Sequence, residues 1–331
     1  MTNFQLTTIP CPLCGDADAT DLFTTRDYAL KITEQQFVLR ECGNCGVGYL
    51  SPRPSEPDIG AFYPEEFFWM YEGTESKLSG DELLIVRKPQ LEAKADCLAH
   101  LKPGRLLDIG AQKGDFIHWM ENKGWSCEGV EYSDTPPNLF NMPIRYGEFF
   151  DMEWEQANFD CITMWAVLEH VYYPGKYIKK LASLMKPGGK FIGLVTNLNS
   201  PQSRYLKLDD YPRHLTIFTR SSLEKELNKN GFRLDRCWTD QKIFGGSLRG
   251  AITYGVKRLF GYSDDEVLAE WKDPTSPLAF CCEWRGKSNW LIKQISRLDN
   301  LFMALPEKLL ERLGKGFLLS WEATYVGENN V

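Results

Sequence analysis

The chain lacks any run approaching the ~18 consecutive apolar residues that a membrane-crossing helix needs. It holds only four histidines, so few side chains can titrate near neutral pH. Met1 to Pro10 carry neither a basic cluster nor an apolar stretch, so a secretory signal is not expected and a cytoplasmic protein is. An excess of positive charge is also missing: 38 Lys and Arg stand against 45 Asp and Glu, a net charge of −7. A phosphate backbone is gripped by basic stripes, so no nucleic-acid partner is expected and a small-molecule acceptor is the better reading. What is present is ordinary globular composition, 331 residues with 43% hydrophobic, enough for about two domains at roughly 150 residues each.

Ten cysteines in a reducing compartment read as thiols or metal ligands rather than disulfides. Four of them form two C-x2-C pairs, Cys11 with Cys14 and Cys42 with Cys45, separated by 27 residues. Four soft thiolates at this spacing suit one tetrahedral zinc. Gly15 and Gly46 follow the second cysteine of each pair, where a positive φ lets the backbone turn its N–H groups toward sulfur. A redox pair is the competing reading of a single C-x-x-C, but two knuckles with matching glycines favour zinc. With four cysteines the tetrahedron is full, so the ion is expected to be structural Zn2+. Residues 1–60 carry four basic and eight acidic side chains, the opposite of a module that grips nucleic acid. Cys97, Cys127, Cys161 and Cys237 read as buried fillers, and adjacent Cys281 and Cys282 as no redox device.

Composition and punctuation divide the chain into a zinc-ribbon module at 1–60, a Pro-punctuated linker at 61–80 with the aromatic cluster Phe67 to Tyr71, and a core at 81–240. A helical insertion or cap at 241–315 and a last core strand at 316–331 follow. Within the core, Asp81 to Leu101 has helical periodicity and Lys102-Pro-Gly104 ends it. Arg105 to Ile109 reads as a buried strand, Gly110-Ala-Gln-Lys-Gly114 as a glycine turn and Asp115 to Glu121 as the start of a helix, the strand–turn–helix plan of a ligand cradle. Glu131 stands 23 residues after Asp108, at the end of a second strand, where a carboxylate can accept both ribose hydroxyls of a nucleoside. The phosphate-specific patterns are absent: there is no G-x-x-x-x-G-K-[ST], and Gln112 breaks a dinucleotide G-x-G-x-x-G. A nucleoside without phosphates fits, and an NAD-dependent oxidoreductase does not.

The segment Asp108-Ile-Gly110-Ala-Gln112-Lys-Gly114 resembles the first motif, Asp-x-Gly-x-Gly-x-Gly, of the class I S-adenosylmethionine-dependent methyltransferases, with Gln112 at the middle glycine. Phe159 to Trp165 leading into Glu169-His170-Val171, a helix from Pro174 to Met185 stopped by Lys186-Pro-Gly-Gly189, and a strand from Lys190 to Thr196 are similar to that family's fourth and fifth strands. The Cys-Pro-x-Cys-Gly ribbon and Pro52-Arg-Pro54 connection resemble a bacterial group of this superfamily that works in sugar, polysaccharide or specialised-metabolite pathways. The resemblance implies an α/β fold, a doubly wound seven-stranded Rossmann-like sheet, with S-adenosyl-L-methionine as co-substrate. It assigns Gly110 and Gly114 to the methionyl end, Glu131 to the ribose, and Glu148 and Phe149 to adenine. Asp108, Gln112 and Trp165 complete the expected donor-contacting set.

Methyl transfer from a sulfonium needs alignment, exclusion of water and a base for the acceptor. His170, after the fourth strand, and His214, in the loop after the fifth, are the catalytic candidates, while His100 and His118 read as structural or exposed. The favoured function is methylation of a small molecule, most simply O-methylation of a sugar or metabolite hydroxyl. A zinc-ribbon RNA methyltransferase, and a non-catalytic donor-binding partner protein motivated by Gln112, are the alternatives. In the insertion, Leu291, Ile295, Leu298, Phe302 and Leu305 form a helical stripe, with Trp271, Trp284 and Trp290 nearby. Core or cap packing is the first reading of this stripe, a homodimer face the second and a membrane-surface contact the third; the chain is expected to be a monomer or homodimer.

Overall fold

The computed structural model describes residues 3–64, 75, 77–133, 137–245, 248, 251–264, 266, 267, 298 and 302–327. The amino-terminal part contains β1 (Leu6–Thr7), β2 (Ala19–Thr25), β3 (Phe37–Cys42), β4 (Gly48–Leu50) and β5 (Arg53–Pro54). β2, β3 and β4 pair antiparallel, and β1 pairs with β5. In β3 the alternation of Phe37 and Leu39, both fully buried, with Val38 and Arg40 gives a strand with one face packed.

α1 (Gly80–Asp96) opens on a capping box in which Ser79 and Glu82 bond each other's backbone N–H groups. β6 (Arg105–Ile109), α2 (Asp115–Glu121), β7 (Ser126–Glu131) and β8 (Ile144–Tyr146) follow, then β9 (Phe159–Trp165), α3 (Pro174–Leu184) and β10 (Met185–Thr196). The short α4 (Pro201–Arg204) and β11 (Thr216–Ile217) lead to α5 (Arg220–Lys229) and β12 (Phe232–Thr239). α6 (Ala251–Leu259), α7 (Ala304–Arg312) and β13 (Leu318–Tyr325) complete the described elements.

Seven strands form one sheet in the order β12-β13-β10-β9-β6-β7-β8. β6 through β10 run parallel, and β13 inserts antiparallel to both β10 and β12. From β6 the chain winds outward first through β7 and β8, then returns to β9 and β10 on the other side. The carboxyl ends of β6 and β9 therefore flank a topological switch point, where open α/β sheets bind ligands. Both faces are covered. Leu106, Ile192 and Leu194 pack with Leu91, Phe116 and Met120 of α1 and α2, and Ile162, Phe191 and Val195 pack with Ile178, Leu181 and Leu227 of α3 and α5. Gly193 is obligatory in this sheet, because a Cβ there would stand 2.6 Å from the Trp321 ring.

The sequence-predicted stop at Lys186 to Gly189 is instead a bulge inside β10: pairing with β9 shifts between Met185 and Lys190. Gly188 at φ +82 lets the extra residues leave the ladder and rejoin it. In the insertion, Leu298, Phe302 and Leu305 are exposed rather than packed. Leu291, Ile295, the three tryptophans, Cys281 and Cys282, and the cluster Phe67 to Tyr71 lie outside the described residues. Among the described residues no helix is long and apolar enough to cross a membrane.

The amino-terminal sheet takes its fourth strand from the chain segment that follows β10 of the large sheet. β11 pairs antiparallel with β4, giving the four-stranded order β11-β4-β3-β2. Beside it Arg213, fully buried, donates to Asp210 at 2.7 and 2.9 Å and to Asp27 of the amino-terminal part at 2.9 Å. Leaving one partner of such a pair alone in the interior costs ~3–5 kcal/mol.

Candidate active site

The first half of the site is the turn between β6 and α2. Gly110 has φ +83, and a Cβ there would meet Val167 Cγ2 at 2.5 Å, so the backbone alone occupies that point. Gly114, at φ +82, begins α2. Gln112 takes φ +46, the left-handed region that a glycine would occupy at no cost. Its N–H donates to Glu131 Oε2 at 2.9 Å, and the N–H of Tyr132 donates to Oε1 at 2.8 Å. The Ser133 N–H also faces this carboxylate, so of its four lone-pair sites at least one stays open to a hydroxyl donor. Burial raises the Glu131 pKa, with the backbone N–H groups opposing. The Gln112 side chain is drawn away to Arg87 of α1 at 3.4 Å, while Arg87 also pairs with Asp115 at 3.1 Å and Glu75 at 2.9 Å.

Asp108 is buried and accepts from Thr163 Oγ1 at 2.6 Å; burial pushes its pKa up to about 7. Trp165 is buried edge-on to Phe116, ring centroids 5.6 Å apart. Glu148 accepts from Phe150 N at 3.3 Å and from the Tyr177 hydroxyl at 3.0 Å. Phe149 is buried against Trp154 and Tyr177. Gly110, Gln112, Gly114 and Glu131 thus form one continuous edge, whereas Asp108, Trp165 and Phe149 lie beneath the surface.

The second half gathers at the end of β9 and in the loop after α4. Leu215 and Thr216 both donate their N–H groups to the Glu169 carbonyl, at 2.8 and 3.1 Å, which fixes the loop against the strand end. The rings of His170 and His214 meet edge to face, centroids 4.5 Å apart. Asp209 Oδ1 pairs with His214 Nδ1, and Asp209 Oδ2 accepts from Ser203 Oγ at 2.9 Å. Burial alone would lower the His214 pKa, but the charge and hydrogen bond of Asp209 outweigh it and raise the value. His170 has Nδ1 2.9 Å from the Tyr63 hydroxyl, and burial followed by the charge of His214 lowers its pKa to about 3. Glu169 is fully buried, neither side-chain oxygen has a well-placed hydrogen-bond donor among the described residues, and burial pushes its pKa up to about 7. One donor atom each from Glu169, His170 and His214 lies within 4.8 Å of the others. His100 pairs at 3.1 Å with Glu322 and His118 stacks on Phe140, both away from this cluster.

Residues 86–236 match the family model described as a methyltransferase domain. The chain thus carries a methyltransferase domain over 151 of its 331 residues. This methyltransferase is 23% identical over 186 residues to the ubiquinone biosynthesis O-methyltransferase of Alkalilimnicola ehrlichii, covering 53% of the chain and 75% of that relative. It is 33% identical over 164 residues to the tRNA U34 carboxymethyltransferase of Syntrophotalea carbinolica, covering 43% of the chain and 50% of that relative. Apart from the first, the chain spans about half the length or less of these curated relatives. Among solved structures, an S-adenosylmethionine-dependent methyltransferase from Archaeoglobus fulgidus aligns at TM-score 0.46 and 14% identity, covering 78% of this chain and 99% of that one. The fold assignment stands on the strand order itself, with its single inserted antiparallel strand β13.

The methyltransferase also carries the four-cysteine cluster. Cys11 and Cys45 have their sulfurs 3.5 Å apart, as do Cys14 and Cys42. Four thiolates around zinc at ~2.3 Å place sulfurs nearly 4 Å apart, so the donor set fits a structural ion. Gly15 and Gly46 have φ +75 and +74. The N–H groups of Leu13 and Cys14 face the Cys11 sulfur, as the knuckle reading requires. Cys97, Cys127 and Cys161 are buried and Cys237 is half-buried.

Sequence reasoning missed Asp209, Tyr63 and the burial of Glu169. The adjacent acids Asp209 and Asp210, a few residues ahead of His214, were the available signal for the first. Nothing local announces Tyr63, which comes from the segment following the cysteine module.

Proposed function

We propose that this methyltransferase transfers the methyl group of S-adenosyl-L-methionine to a hydroxyl of a small molecule, a sugar or metabolite. In this reading residues 1–60 are the zinc module, 81–240 with 316–331 the catalytic core, and 241–315 a cap. The observation that carries it is the pairing of His214 with Asp209 at the same edge of the sheet as the Gly110–Gly114 turn. Glu131 and the turn hold the donor, leaving the sulfonium methyl exposed to the acceptor. His214 takes the acceptor hydroxyl proton, and Asp209 stabilises the imidazolium that forms. The acceptor oxygen then forms its bond to the methyl carbon as the carbon–sulfur bond breaks, leaving a neutral thioether nucleoside. Glu169 adds a second carboxyl group beside the imidazolium. His170, kept neutral by burial, packs against His214 and holds its ring in place.

The names of relatives that methylate in ubiquinone biosynthesis support an oxygen acceptor. The tRNA-modifying relative supports the RNA alternative, against which the acidic amino-terminal module argues. Incubation with methyl-labelled donor, a panel of phenols and nucleotide sugars, and total RNA decides between them. Label in an alkali-stable small-molecule ether supports the proposal, and label retained by RNA overturns it. Absence of any thermal shift with the donor would favour a non-catalytic partner.

A further inference from the structure

α7 lies near the end of the insertion, and none of its nine residues is buried. Phe302 just before it, Leu305 and Leu309 within it and Leu313 just after it are 58% to 79% exposed. Their spacing of three, four and four residues puts all four on one side of the helix. An amphipathic helix ordinarily packs its apolar side inward. Here that side is turned to water, so it suits a surface that the described residues do not supply.

The charges sort by side. Lys308, Arg312 and Lys315 are exposed, and among the described residues none of them forms an ion pair with a carboxylate. At about 3.6 residues per turn, Lys308 and Arg312 border the apolar stripe along one flank, while Glu307 and Glu311 fall on the far side. That far side meets the rest of the protein. Glu307 Oε1 accepts from Leu248 N at 2.7 Å, and the Glu311 carbonyl accepts from Thr239 Oγ1 at 2.8 Å. The acids of the helix are half-buried, and its outward charges are all positive.

The sign of those charges selects the partner. A second copy would bring the same patch, and its exposed basic side chains would find no exposed acid opposite them. An anionic lipid surface matches both halves of the face, because acyl chains take the apolar stripe and headgroup phosphates take the basic flank. The attachment of α7 also orients it. Asn197, the residue after β10, donates Nδ2 to the carbonyls of Gly314 and Gly316 at 3.1 and 2.8 Å. β10 runs parallel to β9, so the carboxyl end of α7 is tied to the same sheet edge as Glu169 and His170. We propose that α7 lies in the interface of an anionic lipid surface, with Phe302, Leu305, Leu309 and Leu313 among the acyl chains and Lys308, Arg312 and Lys315 against the headgroup phosphates. Docking in this way holds the carboxyl edge of the sheet beside the lipid.

Flotation of the full-length, zinc-loaded protein with vesicles tests this. The vesicles are phosphatidylcholine alone, or phosphatidylcholine with about one third phosphatidylglycerol. Binding to the anionic vesicles is expected to be at least about tenfold tighter and to fall as salt screens the headgroups. Leu305→Glu with Leu309→Glu puts two carboxylates in the stripe and is expected to abolish binding, and Leu305→Ser with Leu309→Ser repeats the test without adding charge. Lys308→Glu with Arg312→Glu is expected to remove the preference for anionic lipid. All four positions are exposed, so an unchanged melting temperature in each variant separates lost binding from a lost fold. Equal binding to both kinds of vesicle, binding to neither, or undiminished binding in the leucine variants overturns the proposal. So does a lipid-free dimer in sedimentation velocity that Leu305→Glu with Leu309→Glu dissociates, because the stripe then belongs to a second copy.

Discussion

The hydroxyl of Tyr63 lies 2.9 Å from Nδ1 of His170, so the segment that follows the cysteine module reaches a histidine at the end of a catalytic-sheet strand. Because burial keeps His170 neutral, the phenol donates to Nδ1 and leaves the proton of the ring on Nε2. Tyr63→Phe removes that donor without changing the ring. Turnover is expected to fall roughly three- to tenfold at unchanged donor affinity, with full donor titrations at each pH as the check, and the pH limb stays in place because it belongs to His214.

In the proposed mechanism His214 carries the base role. His214→Ala is expected to leave donor binding intact and slow methylation at least tenfold; equal turnover would remove it as the base. Asp209 raises the His214 pKa above the usual histidine value, so activity should rise with pH through that raised value as the imidazolium loses its proton. Asp209→Asn moves this limb to lower pH and also slows the reaction, which a kcat–pH profile reads directly.

In the proposed donor reading Glu131 accepts a ribose hydroxyl, while the backbone N–H groups of Gln112, Tyr132 and Ser133 hold its oxygens. Glu131→Ala should weaken S-adenosylhomocysteine binding at least tenfold by calorimetry. Affinity near that of the wild type would discredit the ribose assignment.

Glu169 gives a stability signature. Its pKa is raised by burial from 4.5 to about 7, so the folded state holds this proton more tightly than the unfolded chain does. The associated stabilisation is complete below about pH 4.5, and it is lost as pH rises through about 7, an effect of up to ~3 kcal/mol. Glu169→Gln has no proton to lose. The drop in melting temperature between pH 5 and pH 8 should shrink in this variant, though Asp108, raised to about 7 as well, keeps its own share. An identical drop in both proteins would contradict the buried, proton-holding Glu169.

The cysteine cluster predicts one zinc per chain by elemental analysis, released by strong chelators and by acid, since the thiols must give up their protons to bind. Cys42→Ser is expected to lose the ion and lower the melting temperature. It should also reduce turnover, because Asp27 of the same amino-terminal part holds Arg213, the neighbour of His214. Full metal content with all four cysteines replaced by serine would refute the site.

What could be read in the sequence was what neighbours along the chain decide. Gly110 and Gly114 in their turn, the two cysteine knuckles with their glycines, and Glu131 at the end of β7 all announce themselves by spacing within one strand–turn–helix or one knuckle. The convergence of Tyr63 on His170, and of the Glu169–His170 segment on His214, was not legible, because the partners are 107 and 44 residues apart in the chain and depend on which loops the sheet brings together. The bulge in β10 was hidden for a related reason: Pro187-Gly-Gly189 is the spelling of a chain turn as much as of a detour within a ladder. The packing of Phe149 against Trp154 and Tyr177 is likewise a contact that the motif alone does not announce.

The late arrival of β11 in the amino-terminal sheet has a consequence for synthesis. β4 ends at Leu50 and its outer neighbour begins at Thr216, 166 residues later. At ~5–20 residues per second the ribosome needs roughly 10–30 s to supply that neighbour. For that interval the newborn amino-terminal sheet has an open rim able to recruit a foreign strand, so slower translation lengthens its exposure to mispairing and faster translation shortens it.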